Sequence, residues 1–372
     1  QGKRFMLEQG YDPAMVNAAT GAGVRTLKLR GGMAKLGIAR IVGTYRMANL
    51  VALLDAQVRG VGPDKALGGG LWDSYSWHTD LPPGHPMVHG DQTSEFELFD
   101  VENAKLVVVW GMNWITTKMP DSHWLTEARL KGTKVVVLTV EYSATANKGD
   151  EVIVIRPGTD PAFALGLASV IVGEKLYDAD FVKRYTDLPS LVRMDTLEPL
   201  LARHVFPGHQ EAQLDNWVNV VKTGQRPIPT VSQNGMQMPE AMRGEFADFV
   251  MWDARSGKPV AVSRDQMGER FAKVGIDPAL EGSFAVTLAD GKTVQARPAF
   301  DLTRQYLAET MTPEAVSKIT WAPKAAIESL ARQIAAAGGK TLFPVGMGPN
   351  QFFNNDLKDR AIFLVAALTG SL

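Results

Sequence analysis

The sequence predicts an α/β protein whose doubly wound, mainly parallel sheet forms a domain inserted in a second α/β domain, with a β-rich insertion of its own. Short β-branched runs alternate with helical patterns from residue 105 to residue 172, as in parallel sheets with crossover helices. The alternation stops near residue 205 and returns with a helical pattern at residue 324. Between these points lie Pro-rich loops and short strand patterns, which predict the insertion at about 205–300.

The predicted elements follow one another in a regular order. Thr44–Val58 has the apolar spacing of a helix, and a glycine loop follows at residues 68–70. Thr159 or Asp160 can cap a helix that holds Pro161, and Thr312 precedes Pro313 in the same way. The α/β alternation consists of a strand at Leu106–Trp110, a helix at Asp121–Leu130, strands at Lys134–Val140 and Val152–Ile155, and a helix at Pro161–Val172.

The insertion and the elements after it complete the predicted organisation. We expect an α/β domain at 1–104 and 340–372, and a Rossmann-like nucleotide-binding domain at 105–339. The predicted later elements are strands at Asp248–Trp252 and Val260–Ser263, a hairpin of Phe284–Leu288 and Thr293–Arg297 around Asp290-Gly291, a helix at Lys324–Ala337 ended by Gly338-Gly339, and a strand at Thr341–Val345.

Composition excludes several classes of protein. The 372 residues carry 39 Lys and Arg against 40 Asp and Glu, a balance that does not favour nucleic-acid binding. No Cys is present, so these residues alone form no disulfide, iron–sulfur cluster or thiolate zinc site. No apolar stretch reaches the roughly 20 residues that cross a bilayer. Because the chain begins at Gln1 without a signal-like segment, we expect it to be an internal piece of a longer subunit.

A His-rich segment between Trp77 and Gly90 is the densest group of reactive side chains. Its titratable members are His78, Asp80, His85 and His89. These could ligate zinc in a hydrolase, but we expect Pro86 to interrupt any helical pairing of His85 with His89. Each residue alone could equally satisfy loop backbone groups, and Asp80 could form an Asx turn.

A second group of candidates follows three predicted strands. The strand ends carry Trp110, Gly111 and Asn113, then Glu141 and Tyr142, then Gly158, Thr159 and Asp160. Individually, Glu141 could be a solvated carboxylate and Asp160 a helix cap. Because parallel strands end at one edge of a sheet, together they favour a nucleotide-bearing ligand, although no Gly-x-Gly-x-x-Gly is present.

The segment Asp80-Leu81-Pro82-Pro83 and the strand-end motifs resemble the molybdopterin oxidoreductases of the dimethyl sulfoxide reductase type. The resemblance is to the branch of nitrate reductase and nitrite oxidoreductase catalytic (alpha) subunits. Further matching motifs are Gly90-Asp91-Gln92-Thr93, Pro120-Asp121-Ser122-His123, Lys131-Gly132-Thr133-Lys134, Pro157-Gly158-Thr159-Asp160, Gly346-Met347-Gly348-Pro349-Asn350 and Arg360 onward.

The resemblance implies a cofactor and a set of site residues. Asp80 would ligate the molybdenum of a bis(molybdopterin guanine dinucleotide), with His78, His85 or His89 orienting the oxyanion or exchanging a proton. The implied nucleotide contacts are Trp110, Gly111, Asn113, Glu141, Tyr142, Gly158, Thr159 and Asp160, and the implied pterin contacts are Gly346, Gly348 and Asn350. The resemblance also implies an iron–sulfur cluster in an amino-terminal part and a carboxyl-terminal barrel-like domain, so the isolated chain should be inactive.

The implied function is oxygen-atom transfer on a small oxyanion, principally nitrite oxidation or nitrate reduction. Chlorate, perchlorate or selenate reduction and dimethyl sulfide or hydrocarbon dehydrogenation are alternatives within the branch. A nucleotide-binding scaffold without redox chemistry is an alternative of another class. The resemblance further implies an iron–sulfur electron-transfer subunit, a haem subunit as a possible third component, and a periplasmic location, with the cytoplasmic face of the membrane as the alternative.

Overall fold

The structure, a computed structural model, describes residues 84–89, 98–210, 247–263, 266–352 and 355–372. All of these belong to one unit, His78–Leu372. The predicted helix Thr44–Val58 and the glycine loop at 68–70 lie outside the described residues.

A four-stranded parallel sheet is the centre of the described unit. Its strand order is β3-β2-β1-β9, and β1 runs beside β2 from the pair Leu106 and Lys134 to the pair Trp110 and Leu138. The strands are β1 Leu106–Trp110, β2 Lys134–Thr139, β3 Glu151–Val154 and β9 Thr341–Leu342. The first three confirm the predicted strands, because β-branched runs suit a sheet that is covered on both faces.

Helices cover both faces of this sheet, which confirms the doubly wound arrangement. Val107, Val109 and Val137 face Leu125 on one side, whereas Val108 and its neighbours face the helices on the other side. Alternate strand residues point to opposite faces. The helices are α1 Gly84–His89, α2 Trp114–Thr117, α3 Ser122–Leu130, α4 Asp160–Gly173, α5 Ala179–Tyr185, α6 Ala202–Val205, α7 Ala299–Thr310, α8 Pro313–Thr320, α9 Lys324–Ala337 and α10 Asn355–Leu368.

The predicted helix ends are confirmed at two of three places. Thr312 caps α8 by accepting a hydrogen bond from the Ala315 N–H at 3.3 Å, and Gly338 ends α9 with φ +60°. Thr159 precedes α4, but its hydroxyl donates to the Arg156 carbonyl at 2.6 Å instead of capping the helix.

The last parallel strand is shorter than predicted. Instead of Thr341–Val345, regular pairing covers only Thr341–Leu342, and Val345 meets Trp110 in an isolated bridge. Pro344 has no N–H to donate, so a continuous ladder cannot pass through it, although its carbonyl accepts from the Trp110 N–H at 2.8 Å.

Two small antiparallel sheets accompany the parallel one. Strands β5 and β6 pair with each other, and β8 lies between β4 and β7. Gly291, with φ +85°, lies in the predicted turn between β7 and β8. The bounds are β4 Leu191–Arg193, β5 Phe249–Asp253, β6 Lys258–Val262, β7 Phe284–Thr287 and β8 Thr293–Pro298. Strand β4 had no sequence prediction, and the division of the chain into domains stays a prediction.

The end of the His-rich segment corrects one prediction. Residues Gly84–His89 form helix α1, with Pro86 inside it, so the expectation that Pro86 interrupts this span was wrong. Proline is tolerated in the first turn of a helix because the N–H that it lacks has no partner there. No helix among the described residues is long and apolar enough to cross a membrane.

Candidate functional site

The carboxyl ends of β1, β2 and β3 bring three predicted loops to one edge of the parallel sheet. Gly111 follows β1, Glu141 follows β2 and Gly158 follows β3. The short β9 adds a fourth loop, residues 346–350, next to the loop of β1. Ligands of open α/β sheets bind outside this edge, so we call these four loops the carboxyl-edge site.

Two glycines hold the first and fourth loops together. Gly111 has φ +58°, and a Cβ added to it would lie 2.4 Å from Cγ of Pro349. Gly346 donates its N–H to the Trp110 carbonyl at 2.8 Å, and its added Cβ would lie 2.3 Å from the Gly111 oxygen. The two loops therefore meet backbone to backbone, at a separation that no side chain would allow.

Asn113 connects the first loop to the second. Its side-chain oxygen accepts hydrogen bonds from the Thr145 N–H at 3.3 Å and from the Thr145 hydroxyl at 2.9 Å. Thr145 is fully buried. The predicted role of Asn113 in cofactor binding stays a prediction, but this oxygen already fixes the path of the chain after β2.

Glu141 and Tyr142 are exposed where β2 ends. Tyr142 is 67% exposed, and the Thr139 hydroxyl donates to the Glu141 carbonyl at 2.7 Å. The backbone of the loop is thus held while both side chains face solvent. A carboxylate in this place suits the hydroxyls of a ribose.

The third loop begins helix α4 at the same edge. Gly158 has φ +78°, and its added Cβ would lie 3.4 Å from the ring of Phe352, beside the fourth loop. Helix α4 runs for 14 residues from Asp160. Its first-turn amides carry the positive end of the helix dipole, which favours a phosphate.

Trp110 and Asp160 bind each other inside the protein. The indole Nε1 of Trp110 donates to Oδ1 of Asp160 at 2.8 Å, and the ring packs edge-on against Phe163. Trp110 is 0% exposed and Asp160 is 3% exposed. Burial raises the pKa of Asp160, and the Trp110 hydrogen bond and the charge of Lys358 act in the opposite direction. The hydrogen bond between these side chains joins the end of β1 to the start of α4. The main chain at both residues lies at the carboxyl edge of the parallel sheet.

Sequence reasoning missed a buried ion pair beneath the fourth loop. Nζ of Lys358 lies 2.5 Å from Oδ1 of Asp359, with side chains 1% and 0% exposed, and Lys358 also donates to Oδ1 of Asn350. Burial lowers the pKa of Lys358, and Asp359 and Asp160 act against this. The available signal was spacing, because Lys358 precedes the buried Ile362 and Val365 by four and seven residues, on one helix face.

Helix α1 packs on this ion pair. The Gly84 N–H donates to Oδ2 of Asp359 at 3.1 Å, and Nε2 of His85 lies 3.9 Å from Oδ1 of the same carboxylate. The His85 ring meets Phe363 edge-on, with ring centroids 4.7 Å apart. His78, Asp80 and the His89 side chain lie outside the described residues.

The metal predictions rest on those undescribed side chains. Within the ranges that the structure describes, no three His, Asp or Glu residues come together as a metal site. The assignment of Asp80 to molybdenum and the zinc alternative both stay predictions. The carboxyl-edge site itself fits a nucleotide-bearing cofactor, because the exposed carboxylate of Glu141 suits ribose hydroxyls and the start of α4 suits a phosphate.

Most of the chain is similar in sequence to one family of known proteins. Residues 65–372 match the family model "Molybdopterin oxidoreductase". Perchlorate reductase subunit alpha of Dechloromonas aromatica (strain RCB) is 36% identical over 80% of this chain and 30% of its own length. The respiratory nitrate reductase subunit alpha of Haloferax mediterranei is 35% identical over 82% of this chain and 28% of its own length.

A third relative covers more of the chain at lower identity. Dimethylsulfide dehydrogenase subunit alpha of Rhodovulum sulfidophilum is 28% identical over 97% of this chain and 32% of its own length. The chain thus spans less than a third of the length of these three relatives.

Proposed function

We propose that this chain, which belongs to the molybdopterin oxidoreductase family, binds the guanine dinucleotide form of the molybdenum cofactor in an oxygen-atom-transfer enzyme. The family implies a molybdenum–molybdopterin cofactor. The observation that carries the finer proposal is the carboxyl-edge site, where three strand-end loops and the loop after β9 meet at one sheet edge.

The nucleotide contacts follow from the chemistry of each loop. We assign the ribose hydroxyls to the exposed carboxylate of Glu141, which can accept hydrogen bonds from them, and Tyr142 beside it offers an exposed ring. We assign the phosphate oxygens to the loops of Gly111, Gly158 and Thr159, with the first-turn amides of α4 as donors. Trp110, Asn113 and Asp160 hold these loops through the hydrogen bonds described above.

The fourth loop is the proposed pterin contact. Gly348 is exposed, whereas Asn350 is buried and receives a hydrogen bond from Lys358. The loop therefore combines an exposed main chain at Gly348 with the Asn350 side chain, which Lys358 holds in place.

The reacting centre is proposed to lie near the His-rich segment. Asp80 would hold molybdenum through its carboxylate, and the bound metal would supply two-electron oxygen-atom transfer. A neutral imidazole of His78, His85 or His89 can accept a proton, and an imidazolium can orient an anion. Nε2 of His85 lies 3.9 Å from the buried carboxylate of Asp359.

The proposed substrate class is a small oxyanion, with nitrite oxidation or nitrate reduction first. The printed names of the relatives include nitrate, perchlorate and dimethylsulfide enzymes, so chlorate, perchlorate or selenate reduction and dimethyl sulfide or hydrocarbon dehydrogenation are equally supported. Because several relatives are called alpha subunits, we propose an iron–sulfur electron-transfer partner, with a haem subunit as a further candidate. A periplasmic location and an iron–sulfur cluster elsewhere in the same polypeptide belong to this proposal.

Metal and pterin analysis of the full-length protein that carries this sequence tests the proposal. The wild type should contain molybdenum and a guanine nucleotide. Asp80→Ala should lose more turnover than the roughly 10–100-fold that outer-shell partners of a metal carry. Asp100→Ala, a change at an exposed Asp, is the control and should keep full activity. A wild type without molybdenum and pterin would refute the proposal and favour the nucleotide-binding scaffold.

A further inference from the structure

The buried pair of Lys358 and Asp359 is an unusual feature of the described chain. The two residues are neighbours in the first turns of α10, and their side chains are 1% and 0% exposed. Removing two charges from water costs so much that apolar residues often stabilise a core equally well. A contribution to overall stability therefore explains the presence of this ion pair poorly. The contacts of the pair with the fourth loop and with α1 explain it better.

Lys358 faces the carboxyl-edge site. Its ammonium group donates to Oδ1 of Asn350 in the fourth loop, and it interacts electrostatically with Asp160 at the start of α4. Asp160 in turn accepts the hydrogen bond of Trp110. One buried ammonium group thus contacts the fourth loop and interacts electrostatically with the start of α4.

Asp359 faces the other way, toward α1. Its Oδ2 accepts the Gly84 N–H at 3.1 Å, which satisfies one of the unpaired amides at the start of that helix. A Cβ added to Gly84 would lie 2.4 Å from the Asp356 oxygen and 2.5 Å from Cβ of Asp359. Helix α1 therefore approaches α10 as closely as only glycine permits.

Helix α1 depends on this contact for its position. It has six residues, far fewer than the ~12–15 that an isolated helix needs to be even marginally stable in water. His85 is the second residue of this helix, and its ring packs edge-on against Phe363 of α10. Whatever fixes α1 therefore also fixes the position of the His85 ring.

We propose that Lys358 and Asp359 are positioning residues that hold α1, and with it His85, beside the fourth loop of the carboxyl-edge site. Lys358 balances the charge of Asp359 and holds the fourth loop through Asn350. Asp359 holds the start of α1. A role of His85 at the reacting centre rests on the proposed function, whereas the anchoring of α1 does not depend on it.

Two double variants of the full-length protein separate this role from general stability. Lys358→Met with Asp359→Leu, the Leu variant, removes both charges and the acceptor for the Gly84 N–H. Lys358→Met with Asp359→Asn, the Asn variant, also removes both charges but keeps an amide oxygen as that acceptor. Glu174→Gln, at an exposed pair with Arg332, is the surface control.

Hydrogen exchange and electron paramagnetic resonance are the measurements. In the Leu variant we expect amide exchange at residues 84–89 to rise at least tenfold, with exchange in β1 and β2 unchanged, and the Mo(V) spectrum to shift. The Asn variant should return both quantities toward the wild type, and Glu174→Gln should change neither.

The outcomes separate this inference from the proposed function. Wild-type exchange at residues 84–89 in the Leu variant, or equal exchange in the Leu and Asn variants, would overturn the inference. If the Leu variant does not fold, Lys358→Met with Asp359→Asn is compared with the wild type, because it removes both charges and keeps the acceptor; exchange at residues 84–89 should then stay within a few-fold of the wild type, and a tenfold rise would overturn the inference. A wild type without molybdenum refutes the proposed function, and the exchange comparison still tests the anchoring of α1.

Discussion

Gly111 meets two requirements with one residue, a left-handed backbone and the absence of a side chain. Its φ is +58°, and Pro349 occupies the space where a Cβ would lie. A non-glycine residue in this conformation costs roughly 1–2 kcal/mol, and forcing an extra carbon into packed atoms typically costs about 1–3 kcal/mol more. The residue therefore keeps the first and fourth loops of the carboxyl-edge site together.

Gly111→Ala should lower the free energy of unfolding by about 2–5 kcal/mol, the sum of those two costs. Gly338→Ala is a matched control, because Gly338 has φ +60° with nothing within 4 Å of an added Cβ. It should lose only about 1–2 kcal/mol. Chemical denaturation measures both. Equal losses in the two variants would show that the Pro349 contact is unimportant.

Asp160 is predicted to make stability fall as the pH rises. Its pKa is raised above the ordinary value of 3.8, chiefly by burial. A raised pKa means that the folded state binds the proton more tightly, so this contribution favours folding at low pH. It is lost as the pH rises from 3.8 to the folded pKa.

Asp160→Asn should remove this dependence, which for one proton reaches about 1.4 kcal/mol per pH unit within that interval. Asp195→Asn is the control of opposite sign, since the Arg193 hydrogen bond lowers the pKa of the exposed Asp195. Denaturation curves from pH 4 upward measure the effect. A wild type and an Asp160→Asn variant with parallel pH profiles would contradict the assignment.

Single residues also show what sequence reasoning could not predict. Trp110 and Asp160 were identified as candidates, but their hydrogen bond joins positions 50 apart in the chain. No local pattern shows that the Asp359 carboxylate accepts the N–H of Gly84, which lies 275 residues earlier in the chain. Side-chain pairing over such separations depends on the completed fold.

Helix α4 is the element that connects the carboxyl-edge site to the core. Its Gly166 lies against α8, and an added Cβ would be 2.8 Å from Cγ1 of Val316. In an exposed helix interior, Gly to Ala gains up to about 1 kcal/mol. Here the contact between the helices should reverse that sign.

Gly166→Ala should lower the unfolding free energy by about 1–2 kcal/mol, because the cost of overpacking exceeds the propensity gain. Gly173→Ala, in the same helix with nothing within 4 Å of its added Cβ, should be neutral or stabilising. Thermal and chemical unfolding measure these changes in unfolding free energy. The same measurements are made on a double variant, Gly166→Ala with Val316→Ala. The double variant should recover part of the loss, and a stabilised Gly166→Ala would contradict the account.

Elements with a strong local pattern were predictable, and those set by distant contacts were not. The helix Lys324–Ala337 has the predicted bounds, since its apolar spacing and Gly338 define both ends. Helix α1 was missed because Pro86 suggested a break and because the stabilising contact comes from α10. The strand ending at Leu342 is shorter than the apolar run that predicts it, because Pro344 has no N–H with which to continue the ladder.

At the scale of the whole molecule, one sheet edge collects loops that are far apart in the chain. Residues 111, 141 and 158 are joined there by a loop near residue 346, which follows the two antiparallel sheets in the chain. The parallel topology made the first three loops predictable from strand order. The close contact of Gly346 with Gly111 was not, because it depends on how β9 joins the sheet.

The central claim is that this edge holds the guanine dinucleotide part of a molybdenum cofactor. The most direct test is an electron cryo-microscopy map of the full-length, metal-loaded protein that carries this sequence. We predict density for a guanine nucleotide along Gly111, Glu141 and Gly158, with molybdenum near the Asp80 carboxylate. A map with polypeptide covering this edge, or with the cofactor bound elsewhere, would contradict the account.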